Sequence, residues 1–168
     1  YAFEVLTQTG RIDVISEIAQ ALGTNGMLGG QVVDIESEGK KVDKETVEYI
    51  HINKTAKLIR ASVRTGAILA NASTQQFENL SSYGHNVGLA FQIVDDILDE
   101  EGTTEQLGKD AGSDRERGKA TYPAIIGIEQ SREAAKDLIS KATRDLADFK
   151  ESGKVLLSLA EFIRTRIT

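Results

Sequence analysis

The sequence predicts an all-α fold, and a few features carry that prediction. Apolar residues recur at helical spacing in every periodic segment, no segment alternates apolar and polar residues over a strand's length, and no hairpin turn joins two such runs. Helix-start signals stand at Asp43 and Ser73, ahead of the two longest periodic stretches. With 168 residues and 40% hydrophobic content, one bundle-like domain spanning residues 1–168 would bury about 70% of its unfolded surface. No linker, internal repeat or low-complexity segment divides it.

The first helical stretch runs from about Ala2 to Leu22 and carries Val5, Ile12, Ile15, Ile18, Ala19 and Leu22. A break is expected near Thr9-Gly10, and Gly23 ends it. A second helix spans about Gly26 to Glu38, includes Gly29-Gly30-Gln31 and Asp34, and stops near Gly39. Asp43 is the expected N-cap of a third, with Val42 and Val47 as a hydrophobic staple. Val47, Ile50, Lys54, Leu58, Ala61, Thr65 and Leu69 form its apolar stripe, so Lys54 falls on the face expected to be buried.

Ser73 and Gln76 make a capping box for the fourth helix, which continues through Phe77, Leu80, Tyr83, Gly84, Val87, Gly88, Phe91, Val94 and Leu98. From Ser73 to Asp99 its length is roughly 40 Å. Gly102 stops it. Residues 102–121 hold four glycines and little apolar content, and a structureless stretch of that length in a compact domain is usually functional. Pro123 suits a first helical turn, and further helices are expected over Ser131 to Phe149 and Val155 to Arg166.

Composition narrows the chemistry. Lys and Arg total 20 against 26 Asp and Glu, a net charge of −6, and the basic residues are scattered, which argues against a nucleic-acid surface. The absence of cysteine removes disulfides, thiolate metal sites and thiol catalysis. Neither a long apolar run nor a signal pattern is present, so the expectation is a cytoplasmic protein without a membrane span. Tyr1-Ala2-Phe3-Glu4 is already in mid-pattern without a cap, as if the helix had been cut.

Phe91-Gln92-Ile93-Val94-Asp95-Asp96-Ile97-Leu98-Asp99 is the most informative stretch. On a helix Asp95 and Asp99 share a face, with Asp96 about 100° round, so two or three acids can point at one cation. They lie near a helix C-terminus, where the dipole disfavours each anion by roughly 0.3–1 kcal/mol. A solvated acidic helix end is the alternative reading. Hard oxygen ligands of this kind suit Mg2+, which takes its remaining ligands from water and phosphate.

Lys54-Thr55 offers a lysine that must either snorkel or find a buried anion, next to a hydroxyl able to support that anion. The stretch from Gly108-Lys109-Asp110 through Asp114 to Lys119-Ala120-Thr121-Tyr122-Pro123 reads either as a pyrophosphate clamp with two lysines or as a charged surface loop. It lacks the P-loop spacing. Gln92 can donate an amide hydrogen bond to a substrate oxygen or make an ordinary contact within its helix. Gly29-Gly30-Gln31 can bring two helices close together. His51 and His85 stand apart from other ligands in sequence and read as structural.

These motifs together resemble the trans-isoprenyl diphosphate synthases, most closely the bacterial farnesyl and geranylgeranyl diphosphate synthase group. Gly29-Gly30-Gln31 with Asp34 is similar to the GGQ…D element, Lys54-Thr55 to the KT element, and Gly88 to Asp99 to the second aspartate-rich motif GxxFQxxDDxxD. Gly108-Lys109 with Asp114 resembles the GK…D loop, followed by Lys119, Thr121, Tyr122 and Pro123.

The resemblance implies the helical bundle of isoprenoid synthases without its N-terminal helices, a Mg2+ cofactor, allylic and isopentenyl diphosphates as substrates, and a homodimer. It implies Asp95, Asp96, Asp99 and Asp114 at or near the metal, and Lys54, Thr55, Gln92, Lys109 and Lys119 around the diphosphate.

The family's first aspartate-rich motif has no counterpart here. This chain alone is therefore expected to be inactive, as part of a short-chain prenyl transferase whose length-setting residues lie upstream. The alternatives are a non-catalytic partner subunit of a complete synthase and a terpene cyclase of the same fold. Cation-binding acids argue against the first, and the absence of an NSE-type motif argues against the second.

Overall fold

The computed structural model describes residues 1–101 and 118–167. Every regular element among them is helical: α1 Ala2–Gln8, α2 Ile12–Leu22, α3 Met27–Ser37, α4 Lys44–His51, a π-helical turn Ile52–Ala56, α5 Lys57–Leu69, α6 Thr74–Glu101, α7 Tyr122–Ile126, α8 Ile128–Asp145, a 3-10 segment Ala147–Gly153 and α9 Lys154–Thr165. Gly108, Lys109, Asp110 and Asp114 lie outside the described residues.

Local signals fall where expected. Gly10, at φ +63, separates α1 from α2. Asp43 Oδ1 accepts from the Thr46 N–H at 2.9 Å, starting α4. The Ser73–Gln76 capping box closes in both directions, with the Ser73 N–H donating to Gln76 Oε1 at 2.9 Å and the Gln76 N–H to Ser73 Oγ at 3.3 Å.

The segment around Pro123 breaks into two helices at Gly127, whose φ of +85 suits glycine. Thr121 caps the first of them, its hydroxyl oxygen accepting from the Ala124 N–H at 3.3 Å.

Helix α6 is the spine, packed along both α5 and α8. Tyr83, Val87, Ala90, Ile93, Val94 and Ile97 on α6 are buried with Ala135, Ile139 and Ala142 of α8 and Ala160 and Ile163 of α9. Close approach to α5 and to the π-helical turn depends on Gly84 and Gly88: a Cβ would stand 2.8 Å from Arg60 Cα at the first and 2.6 Å from Ala56 Cα at the second.

Two expectations change. The stripe drawn from Val47 to Leu69 assumed one α-helix, but the π-helical turn adds a residue and rotates the succeeding helix, α5, by about 100°. The buried residues run Val47, Ile50, His51, Asn53, Ala56, Ala61 and Ala67, while Leu69 is exposed. On α2 the buried positions are Val14 and Ala21, whereas Ile12 is 82% exposed.

Candidate functional site

The sharp feature of the π-helical turn is that it presents Lys54 and Thr55 to two different helices. Lys54 Nζ lies 2.6 Å from Asp34 Oδ2 on α3. The two segments come this close because position 30 is glycine: a Cβ there would stand 2.4 Å from Lys54 N and 2.9 Å from Asn53 C. Thr55 faces α6, its hydroxyl donating to Gln92 Oε1 at 2.8 Å. The Gln92 amide in turn donates to Asp96 Oδ1 at 3.3 Å.

Asp96 is 4% exposed and points inward. Its Oδ2 accepts the Tyr122 N–H at 2.8 Å and faces His51 Nε2 at 3.1 Å. With the Gln92 amide on the other oxygen, Asp96 has two hydrogen-bond donors within the protein and His51 in close contact. Among the described residues no three His, Asp or Glu side chains come together as a metal-holding group. Asp96 follows the helical rotation into the core beside Ile93 and Ile97. Asp95 is half-buried and Asp99 is 2% exposed, and each has interactions of its own.

A second ring of contacts supports this hub. The Tyr122 hydroxyl donates to Glu48 Oε1 at 2.8 Å, Lys44 Nζ lies 3.2 Å from the same oxygen, and the rings of His51 and Tyr122 stack 5.7 Å apart at 24°. Burial opposes ionisation of Glu48, but hydrogen bonds from Tyr122 and Lys44 outweigh it and hold the carboxyl below its ordinary value. Burial first, and the Glu48 carboxylate second, push the Tyr122 phenol well above its ordinary value.

Of the residues singled out from sequence, Lys54, Thr55, Gln92, Asp96 and the Tyr122 backbone are linked through α6 and the π-helical turn. Lys119 lies half-buried two residues before Thr121 and has interactions of its own. Lys109 and Asp114 fall outside the described residues. Sequence reasoning read His51 as structural and did not single out Glu48 or Lys44. For His51 a signal was present, since it lies three residues before Lys54 and directly beside the core residue Ile50.

The polyprenyl synthetase family profile matches residues 1–156. The farnesyl diphosphate synthase of Escherichia coli is 46% identical over 160 residues, which cover 93% of this chain and 54% of that one. A polyprenyl synthase from Caulobacter crescentus, solved with calcium and isoprenyl diphosphate, superposes with a TM-score of 0.91 at 27% identity, covering 99% of this chain and 63% of the other. The geranyltransferase of Helicobacter pylori, solved with magnesium and isoprenyl diphosphate, gives a TM-score of 0.75 at 29% identity, covering 98% and 56%. The chain spans about half the length of the curated relatives it matches.

Proposed function

The chain belongs to the polyprenyl synthetase family, and on that premise we propose that it supplies the allylic-diphosphate wall of a short-chain prenyl transferase. One observation carries the reading. The acid-bearing turn of α6, the Lys54-Thr55 turn and the segment holding Lys119 are joined through Gln92 and Asp96.

Asp95 and Asp99 are hard oxygen donors on one face of α6, near an end whose dipole favours a cation. They fit Mg2+ as a pair, with Asp114 as a further candidate. Asp96, held by the Gln92 amide and the Tyr122 N–H, serves as their anchor. When bound, the metal supplies positive charge against the diphosphate oxygens as the allylic C–O bond breaks.

The chain's own residues do the rest. Lys54 and Lys119, with Lys109, grip the diphosphate, and Thr55 and Gln92 orient it. Their charges oppose the negative charge that grows on the leaving group. The allylic cation left behind is attacked by the double bond of isopentenyl diphosphate, which then loses a proton. We further infer that these 168 residues do not turn over alone, because no first aspartate-rich motif is among them, and that the protein works as a homodimer.

The test is calorimetric titration with inorganic pyrophosphate, with and without Mg2+, followed by turnover with isopentenyl and an allylic diphosphate. Binding that needs Mg2+ and is lost when Asp95 and Asp99 are both changed to Asn supports the reading. Binding indifferent to both, or no binding, overturns it. Turnover by the 168 residues would overturn the inferred inactivity and leave the site assignment standing.

A further inference from the structure

The segment bearing Lys119 is tied down at both ends. On one side the Gly39 N–H donates to the Gly118 carbonyl at 2.9 Å. Gly118 has φ +62, and a Cβ there would stand 3.2 Å from Gly39 Cα. On the other side the Tyr122 N–H donates to Asp96 Oδ2 at 2.8 Å. Only Lys119, Ala120 and Thr121 lie between. Asp96 Oδ2 is therefore the direct hydrogen-bond link between this strap and the acid-bearing turn of α6.

That oxygen has a second partner, His51 Nε2, at 3.1 Å, and both side chains are almost wholly buried, at 4% and 5% exposure. The imidazole stacks on Tyr122, while its Nδ1 is buried with no hydrogen-bond partner. Placing this ring in the core leaves one nitrogen unsatisfied and uses the other on Asp96. An apolar side chain would fill the same space without that cost.

We propose that His51 is a positioning residue for diphosphate capture. Its 3.1 Å contact with Oδ2 holds Asp96 in the rotamer that receives the Tyr122 N–H and the Gln92 amide. The strap of Lys119 and, through Gln92, Thr55 are thereby tied to the acid-bearing turn of α6. This rests on the reading that those residues take a metal-bound diphosphate.

His51 is changed to Gln, Asn and Ala in the natural polypeptide that carries this sequence. A glutamine amide reaches the place of Nε2, whereas an asparagine amide reaches only that of Nδ1. Two quantities are read: affinity for inorganic pyrophosphate at saturating Mg2+, and hydrogen exchange at the Tyr122 amide. H51Q is expected to stay within about threefold of the unchanged protein, and H51N and H51A to weaken binding on the order of tenfold or more, with faster exchange at Tyr122.

Rescue by Gln and not Asn is something simple core filling would not produce. Equal behaviour of the Gln and Asn variants, or faster exchange at Tyr122 with unchanged affinity, overturns the inference. Should H51A fail to fold, the Gln–Asn comparison decides. Absence of pyrophosphate binding by the unchanged protein overturns the site reading itself, whereas binding that all variants share overturns only the role of His51.

Discussion

Lys54 Nζ stands 2.6 Å from Asp34 Oδ2, and this contact ties the π-helical turn to α3. The lysine side chain keeps 29% of its surface and the aspartate 10%, so the pair is partly screened while the carboxylate is mostly out of water. Asp34 thus holds the ammonium in place beside α3, while Thr55 is held on α6 by Gln92.

Asp34→Asn replaces a charge-assisted hydrogen bond with a weaker one, and is expected to cost about 1–3 kcal/mol of stability. Urea unfolding measures it. Combining it with Lys54→Met should cost less than the two changes summed, since the double variant leaves no unpaired charge. A strictly additive cycle would mean that the contact contributes nothing.

Gly30→Ala should be severe, because its Cβ would meet the Lys54 and Asn53 backbone, which cannot yield as a flexible side chain can. A loss of about 1–3 kcal/mol or more is expected. Gly66→Ala, within α5 and with nothing within 4 Å of its Cβ, should instead stabilise by up to about 1 kcal/mol. Thermal melts of the two variants should move in opposite directions.

Acid sensitivity arises from Glu48. Its carboxyl is held below the ordinary value of 4.5 in the folded protein, so its contribution is present above that value and is lost as pH falls through the lower folded value. Glu48→Gln should lower the melting temperature at neutral pH. The gap to the unchanged protein should then close as pH drops below 4.5, and a gap constant across that range would contradict the assignment.

At the alkaline end the relevant group is Tyr83, which is fully buried and donates to the Leu156 carbonyl at 2.7 Å. Burial raises its phenol from 10 to about 12. The stabilisation is complete below pH 10 and is lost as pH rises through about 12. Tyr83→Phe should cost about 0.5–1.5 kcal/mol at neutral pH and should show a shallower loss of stability above pH 10. Denaturant unfolding at pH 8 and pH 11 compares the slopes.

Much of the architecture was legible because its signals are local. Asp43, the Ser73–Gln76 box and the break at Gly10 act within a few residues of themselves, and each behaves in the structure as its chemistry requires. The pairing of Lys54 with a buried anion was one of two outcomes open in the sequence. Asp34 became the partner through the approach that Gly30 permits. The inward turn of Asp96 was not legible, nor was its partnership with His51, which lies forty-five residues away in sequence (96 − 51).

The sequence by itself determined that the chain is helical, where most helices begin, and that acids, lysines and an amide are spaced as a diphosphate-binding family spaces them. Caps, periodicity and motif spacing are properties of neighbouring residues, so a one-dimensional reading captures them. Only the tertiary structure decided which acid of the motif serves as an internal strut, which face of α5 is buried after the π-helical turn, and what holds the strap of Lys119. Each of those outcomes depends on what an opposing segment offers: Asp96 turns inward where His51 and the Tyr122 amide stand to receive it.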